Sequence, residues 1–210
     1  MKSKKINDGG QDMACSKNKE IFDKNPSNVN ISRRIFAYII DWLLGALIMM
    51  LPMWIIWLNG NGDPELLNAV SIWTIAVEMS YQDAYIAGFL ALMFALFYYV
   101  FIPWKVYKGQ TIGKRMMGFK IVRTDDSEVE LKELILRQVV GIIVIESVLY
   151  NVSLLWEGLI SLMIGYNISI ICMFIGFLIT AGSCLIALSN QSRRMLHDYI
   201  AKTKVILLKK

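Results

Sequence analysis

Four long apolar stretches, separated by polar or charged segments, dominate the pattern of this chain. A helix needs about 20 mostly apolar residues to cross a bilayer. We therefore predict transmembrane helices at 35–58, 84–101, 138–156 and 164–188, and expect Pro103 to end the second. The pattern indicates an all-α integral membrane protein built as a four-helix transmembrane bundle.

The segment between the first two spans has only acidic charges and a second apolar pattern. It predicts a short helix that either lies on the outer leaflet or packs as a surface helix on the bundle. Its apolar positions recur at helical spacing: Leu66, Val70, Trp73, Val77 and Tyr81.

The loop 105–137 differs in kind from the spans that flank it. Residues 118–123 alternate as a short strand does, and 202–208 form a second candidate strand. We expect the two strands to pair on the cytoplasmic face. Ser127 and Glu130 are placed to form a capping box before the third span.

The basic residues fix a predicted orientation. All 22 Lys and Arg residues lie in three blocks, within 1–34, 105–137 and 193–210. Lys and Arg are retained on the cytoplasmic side during insertion. Each basic-free stretch must therefore leave the cytoplasm and return, which places both termini inside the cell.

Composition supports this interpretation. The chain is 56% hydrophobic, its mean hydropathy is +0.48, and its net charge of +5 is clustered beside spans rather than spread as a nucleic-acid surface. We divide it into a flexible cytoplasmic tail (1–30), a transmembrane domain (31–207) and a basic end (208–210). Three cysteines fit neither a metal site nor a disulfide framework, and no cofactor is implied.

Asp41 is the clearest candidate for chemistry, because it lies inside the first span. An ionisable group at such depth usually faces the bundle and has a role. One interpretation is a carboxylate that couples proton or cation movement. The other, which we favour because Asp41 is about two turns from the basic boundary, is a structural group bonded to Arg34, another basic group or water.

Glu146 lies deeper in the third span, beyond the reach of any Lys or Arg at its level. It is expected to be protonated or hydrogen-bonded, with Tyr150 one turn on as a candidate partner. Two interpretations stay open: a second coupling carboxylate beside Asp41, or a neutral acid that satisfies a neighbouring helix.

His197 and Asp198 form the one site that contains histidine. Two ligands are too few for a metal centre, which needs three or four. We favour a helix end just inside the membrane, with Asp198 paired to a nearby Arg. The alternative is a gate or a partner contact.

The segment 109–114 (GQTIGK) invites comparison with a phosphate-binding loop. It fails, because only three residues separate Gly109 from Gly113, and Arg115 follows Lys114. The glycines are better explained by a tight turn at the membrane surface.

Together these motifs resemble the RDD family of bacterial membrane proteins, over about residues 30–207. The matching positions are Arg34, Ala37, Tyr38 and Asp41 in the first span, Gly109, Thr111, Gly113, Lys114 and Gly118 in the loop, and His197, Asp198, Ala201 and Thr203 in the tail. Lys202 stands where the family usually has Gly, and Glu146 matches no family position.

The resemblance implies a helical domain in the bacterial cell membrane. Some members of the family look like Na⁺(Li⁺,K⁺)/H⁺ antiporters, and others look like accessory subunits. We expect no enzyme activity. The first expectation is an accessory or regulatory protein that binds another membrane protein or a second copy of itself. The alternative is a cation/proton antiporter that uses Asp41, with or without Glu146.

Overall fold

The computed structural model of the protein describes residues 27–208 and is 71% helix. The helices are α1 (Ile31–Asn59), α2 (Ile72–Glu78), α3 (Tyr81–Leu96), α4 (Ile112–Met116), α5 (Leu131–Leu134), α6 (Asn151–Ile164), α7 (Ser169–Ser189) and α8 (Leu196–Ile200). A 3₁₀ turn (Pro64–Ala69) precedes α2, and π-helical segments extend α3 (Phe97–Val106) and α5 (Ile135–Glu146). The strands are β1 (Phe119–Arg123) and β2 (Thr203–Leu207). The predicted flexible tail and basic end fall mostly on residues 1–26 and 209–210, outside the described residues.

Within residues 27–208, three helical stretches are long and apolar enough to cross a membrane. They are α1, α3 with its π-helical extension, and α7, with mean hydropathies of 2.1, 2.2 and 2.4. Large apolar side chains such as Leu47, Phe89 and Phe174 are more than half exposed on them. A surface of this kind is stable against lipid and unstable in water. The fold is therefore that of a helical membrane protein.

The second span does not end at Pro103 as predicted. The helix continues to Val106 through wider π-helical turns, in which the Tyr107 N–H donates to the Ile102 carbonyl at 2.9 Å. Proline has no backbone N–H to donate, and in an α-helix its ring clashes with the carbonyl four residues earlier. The wider turn accommodates the ring, so Pro103 alters the helix without stopping it.

The prediction of one continuous helix over 138–156 is wrong. The chain is helical from Leu131 to Glu146, reverses at Ser147 with φ +31°, and restarts at Asn151. The two helical parts are bent by 65° at this break. Apolar periodicity does not reveal the break, because the residues on both sides of it are equally hydrophobic.

Hydroxyl groups satisfy the backbone that the break leaves unpaired. Thr180 Oγ1 donates to the Glu146 carbonyl at 2.7 Å, and Ser153 Oγ donates to the Ile143 carbonyl at 3.0 Å. Backbone groups at membrane depth need such partners, since no water is available there. The sequence positions of these hydroxyls therefore permit the break.

The fourth predicted span, 164–188, corresponds to α7, which begins later, at Ser169, after the left-handed turn at Gly165. Gly176 and Ser183 are its buried residues, and both face the break at Ser147 or the carboxylate of Glu146. Small residues at this spacing let helices approach closely. The remaining surface of α7 is largely exposed and apolar.

The predicted outer helix is split into the 3₁₀ turn and α2. Ile72 and Ile75 of α2 are buried in the main core, whereas Val77 is 79% exposed. Trp73 and Tyr81 are also exposed. One face of the segment, which includes Val70, therefore packs on the bundle, as one of the two alternatives predicted, and the opposite apolar face points outward.

The prediction of two paired strands is confirmed. β1 and β2 are antiparallel, with Ile121 opposite Val205. Beside them, the Ser27 N–H donates to the Gln191 carbonyl at 3.0 Å, which joins the start of α1 to the tail. We call this side of the molecule, made of residues 107–130 and 190–208, the strand face.

The predicted capping box at Ser127 is wrong by one turn. Ser127 instead bonds Asp125, with its N–H and hydroxyl donating to Oδ1 at 3.0 and 2.6 Å. Glu130 is the residue before α5, and its N–H donates to Oε2 of Glu133 at 3.0 Å. The Asp125 turn therefore delays the start of the helix to Leu131.

Candidate functional site

Asp41 is fully buried where α1 meets the strand face. Gly113 makes this meeting close: a Cβ added there would lie 2.8 Å from Asp41 Oδ1. α4 begins just before Gly113, with Thr111 as its N-cap. The motif residues of 109–114 thus bring a loop and a short helix directly onto the first span.

Four donors fill the acceptor positions of the Asp41 carboxylate. Oδ1 accepts from the Tyr98 hydroxyl at 2.8 Å and the Gly113 N–H at 2.9 Å. Oδ2 accepts from the Thr111 hydroxyl at 2.5 Å and from Lys114 Nζ at 3.1 Å. An ionised carboxylate offers about four lone-pair sites, so this geometry suits the charged form. We call these five residues the Asp41 network.

The basic partner of Asp41 is Lys114, not Arg34. Arg34 lies at the start of α1 and donates instead to the Arg193 carbonyl at 2.5 Å and the Ser27 hydroxyl at 2.7 Å. Spacing along α1 placed Arg34 and Asp41 on nearly the same face. It did not reveal that Lys114, 73 residues away, is the basic residue that contacts the carboxylate.

The two other glycines of the loop motif shape the backbone. Gly109 has φ +80°, and its carbonyl accepts from the Ile121 N–H at 2.8 Å, which links the loop to β1. Gly118 has φ +73° and separates α4 from β1. Both adopt the left-handed conformation that glycine accepts without strain.

A second buried network forms around Arg137, in the part of the broken helix that precedes Ser147. Arg137 pairs with Asp198 of α8 and donates to Thr203 Oγ1 at 2.8 Å. Its other terminal nitrogen lies 3.2 Å from His197 Nε2. His197 Nδ1 lies 2.9 Å from Glu146 Oε2. We call these residues, with Ser183, the Arg137 network.

The hydrogen-bond partners of His197 determine which nitrogen of its imidazole ring carries the proton. Arginine has donors only, so Nε2 must accept from Arg137, and the ring proton resides on Nδ1. Nδ1 then donates to Glu146, which also accepts from the Ser183 hydroxyl at 2.7 Å. The predicted partner of Glu146, Tyr150, is therefore wrong, because His197 and Ser183 take that place.

Asp198 holds its charge in this setting. Burial by itself raises the pKa of a carboxyl, but the charge of Arg137, its hydrogen bond to Asp198 and the charge of Arg34 outweigh it. The pKa of Asp198 falls from 3.8 to about 2. Asp198 is thus paired with an Arg, as favoured from the sequence, although that Arg lies 61 residues away rather than beside it.

Sequence reasoning missed Arg137, Tyr98 and Ser183 as members of these networks, and it found Thr203 only as a family position. Arg137 carried one usable signal, as a lone guanidinium beside a long apolar stretch. Tyr98 and Ser183 carried none, since both resemble ordinary residues of a span. Within residues 27–208, no three His, Cys, Asp or Glu side chains are arranged to hold a metal ion.

The two networks and the apolar helices define the class of protein: a helical membrane protein in which buried Asp41 and Asp198 pair with Lys114 and Arg137. The model of the RDD family matches residues 29–202, so the chain belongs to the RDD family. Comparisons with curated proteins and with solved structures find no match.

Proposed function

We propose that this RDD protein crosses the bacterial cell membrane four times and acts as an accessory or regulatory subunit of another membrane protein. The number of crossings follows from the two strands: because they lie on the same side, the chain between them must cross the membrane an even number of times. β1 precedes and β2 follows the stretch from α5 to α7, and the two strands pair on one side. α7 crosses once, so the bent pair of α5 and α6 must cross as well.

The same reasoning places the start of α1 on the strand face, through the bond from Ser27 to Gln191. The described basic residues belong to this face or border it. The positive-inside rule makes it cytoplasmic. Both ends of the described chain then lie inside the cell.

The observation that supports an accessory role is the saturation of Asp41. A carboxylate that couples ion movement must exchange its partners during a cycle, whereas all acceptor positions of Asp41 hold donors from the protein. The charges of the motif join α1, the loop and the tail into one cytoplasmic surface. Such a surface is suited to contact another protein.

The contact within the membrane is assigned to α7, whose lipid-facing side is large and apolar. Phe174 and Phe177 are 64% and 60% exposed. The partner element is a transmembrane helix, because only a helix satisfies its own backbone against such a surface. Phe89 of α3, 61% exposed, provides a matched control position.

The test is photo-crosslinking in the native membrane, with a photoreactive amino acid at position 174, 177 or 89. We expect positions 174 and 177 to give one discrete protein adduct, and position 89 to give lipid adducts alone. Lipid adducts at all three positions contradict the proposal. An adduct of two copies of this chain replaces it with self-association.

Cation/proton antiport is the second candidate, and one arrangement favours it. Glu146 and His197 form a buried, hydrogen-bonded pair of titratable groups, and His197 lines a cavity. The test is Na⁺-, Li⁺- or K⁺-driven proton flux in proteoliposomes. Flux that disappears in Glu146→Gln and in Asp41→Asn, with both variants folded, establishes antiport and overturns the accessory role.

A further inference from the structure

A cavity of about 360 Å³ lies between α1 and α7, beside the two strands. Its volume falls within the range of about 300–1,000 Å³ typical of small-molecule sites. Ile35 of α1 and Leu188 of α7 line it, yet they stay 52% and 68% exposed. The cavity therefore opens between two membrane helices, toward the lipid.

The charged part of its wall is strongly cationic. Four basic side chains and one acidic side chain line it: Arg34, Lys114, Arg137, Arg193 and Asp198. Lys114 is neutralised by Asp41 behind the wall, and Arg137 is neutralised by Asp198. Two guanidinium groups remain without a salt-bridge partner among the residues that line the cavity.

Arg34 and Arg193 are these two groups. Within residues 27–208, neither forms a salt bridge with a carboxylate, and Arg34 bonds only neutral oxygens. The buried Nε of Arg34 has no hydrogen-bond partner in the same part of the chain. A buried charged donor without an acceptor is unfavourable. An anion at this end of the cavity would supply the acceptor.

We propose that the cavity binds one anionic glycerophospholipid, with its phosphate at Arg34 and Arg193 and an acyl chain along the apolar wall. Arginine binds phosphate through a planar set of donors. Basic pockets between membrane helices on the cytoplasmic side bind acidic headgroups. The mouth lies where α1 begins and α7 ends, so on the proposed topology, on which this inference rests, a lipid reaches it from the cytoplasmic leaflet.

The native cysteines provide a direct assay. Cys184 lines the cavity, and Cys172 lies about three turns earlier on the same helix and does not line it. The full chain is placed in phosphatidylcholine nanodiscs, and phosphatidylglycerol is titrated into them. The rate of maleimide labelling at each cysteine is measured by peptide mass spectrometry. Phosphatidylglycerol should slow labelling at Cys184 and leave Cys172 unchanged.

The variant Arg34→Gln/Arg193→Gln should weaken this protection about 30-fold, as expected for two arginine contacts to an anionic lipid. Arg33→Gln is the matched control, since Arg33 is exposed and donates to the Met117 carbonyl at 3.1 Å. Equal weakening in the control, or no weakening in the double variant, overturns the proposal.

A second variant tests the apolar part and keeps both arginines. Ala187 lines the cavity, and Ala187→Phe should fill the acyl-chain space and abolish protection. Full protection in this variant overturns the proposal, even where the arginine variant fails to fold. Glycerol 3-phosphate distinguishes the source of the phosphate: protection as strong as that by the lipid overturns a lipid site in favour of a soluble phosphate ester.

Discussion

Asp41→Asn is the substitution that most directly tests the buried charge at the centre of this fold. The amide keeps one oxygen for Tyr98 and Gly113, but its NH₂ group then faces two donors, the Thr111 hydroxyl and Lys114 Nζ. The Lys114 side chain is only 11% exposed, so its ammonium loses its charged partner without gaining water and keeps only the Thr111 hydroxyl, at 3.2 Å.

The expected loss is dominated by the ion pair. Hydrogen bonds between membrane helices contribute roughly 0.6 kcal/mol each, whereas removing one partner of a buried pair costs about 3–5 kcal/mol. Asp41→Asn should therefore lower the free energy of unfolding by about 3–5 kcal/mol. This is a large share of the roughly 5–15 kcal/mol available to a typical protein.

The assay is reversible unfolding in detergent micelles, with Glu128→Gln as the control. Glu128 pairs with Lys108 at 2.9 Å, but the two side chains are 59% and 68% exposed, and such pairs contribute about 0–1 kcal/mol. Adding Lys114→Met to Asp41→Asn should recover part of the loss, because no unpaired ammonium then remains. A change below about 0.5 kcal/mol for Asp41→Asn would refute the assigned role.

Three further predictions concern the strand face and its contact with α1. Since Asp198 has a pKa lowered from 3.8 to about 2, its contribution is present above about pH 4 and is lost as the pH falls through 2; unfolding titrations should show about 2 kcal/mol of acid sensitivity that Asp198→Asn removes. Gly113→Val should cost about 1–3 kcal/mol by overpacking against α1, whereas Gly182→Val, with open space around it, should not; equal unfolding midpoints would contradict this packing. Cysteines at Ile121 and Val205, in a background without native cysteines, should form a disulfide under mild oxidation, and persistent free thiols would argue against the register of the strands.

The sequence predicted the parts of this fold that depend on composition and local pattern. The apolar stretches located α1, α3 and α7, and alternation in 118–123 and 202–208 located the strands. The family motifs pointed to Asp41 and Lys114 as site residues. These signals survive without tertiary information because each depends on neighbouring residues.

Pairing between distant residues was not predictable in the same way. Asp41 meets Lys114, and Glu146 meets His197 across 51 residues, because helix packing brings them together. The break at Ser147 was also hidden, since the hydroxyl of Thr180 that stabilises it lies on another helix. Local spacing offered Arg34 and Tyr150 as partners, and the three-dimensional arrangement selected others.

The order in which the two networks can close has a consequence for biosynthesis. Every member of the Asp41 network lies between residues 41 and 114. Asp41 can therefore form its ion pair and hydrogen bonds while later helices are still being translated. On the proposed topology, Glu146 and Arg137 enter the bilayer well before His197, Asp198 and Thr203 are made. During that interval they need temporary partners, from water, lipid headgroups or the insertion machinery. Ribosomes that stall before residue 197 would leave an inserted chain with unpaired intramembrane charges, which membrane quality control can recognise.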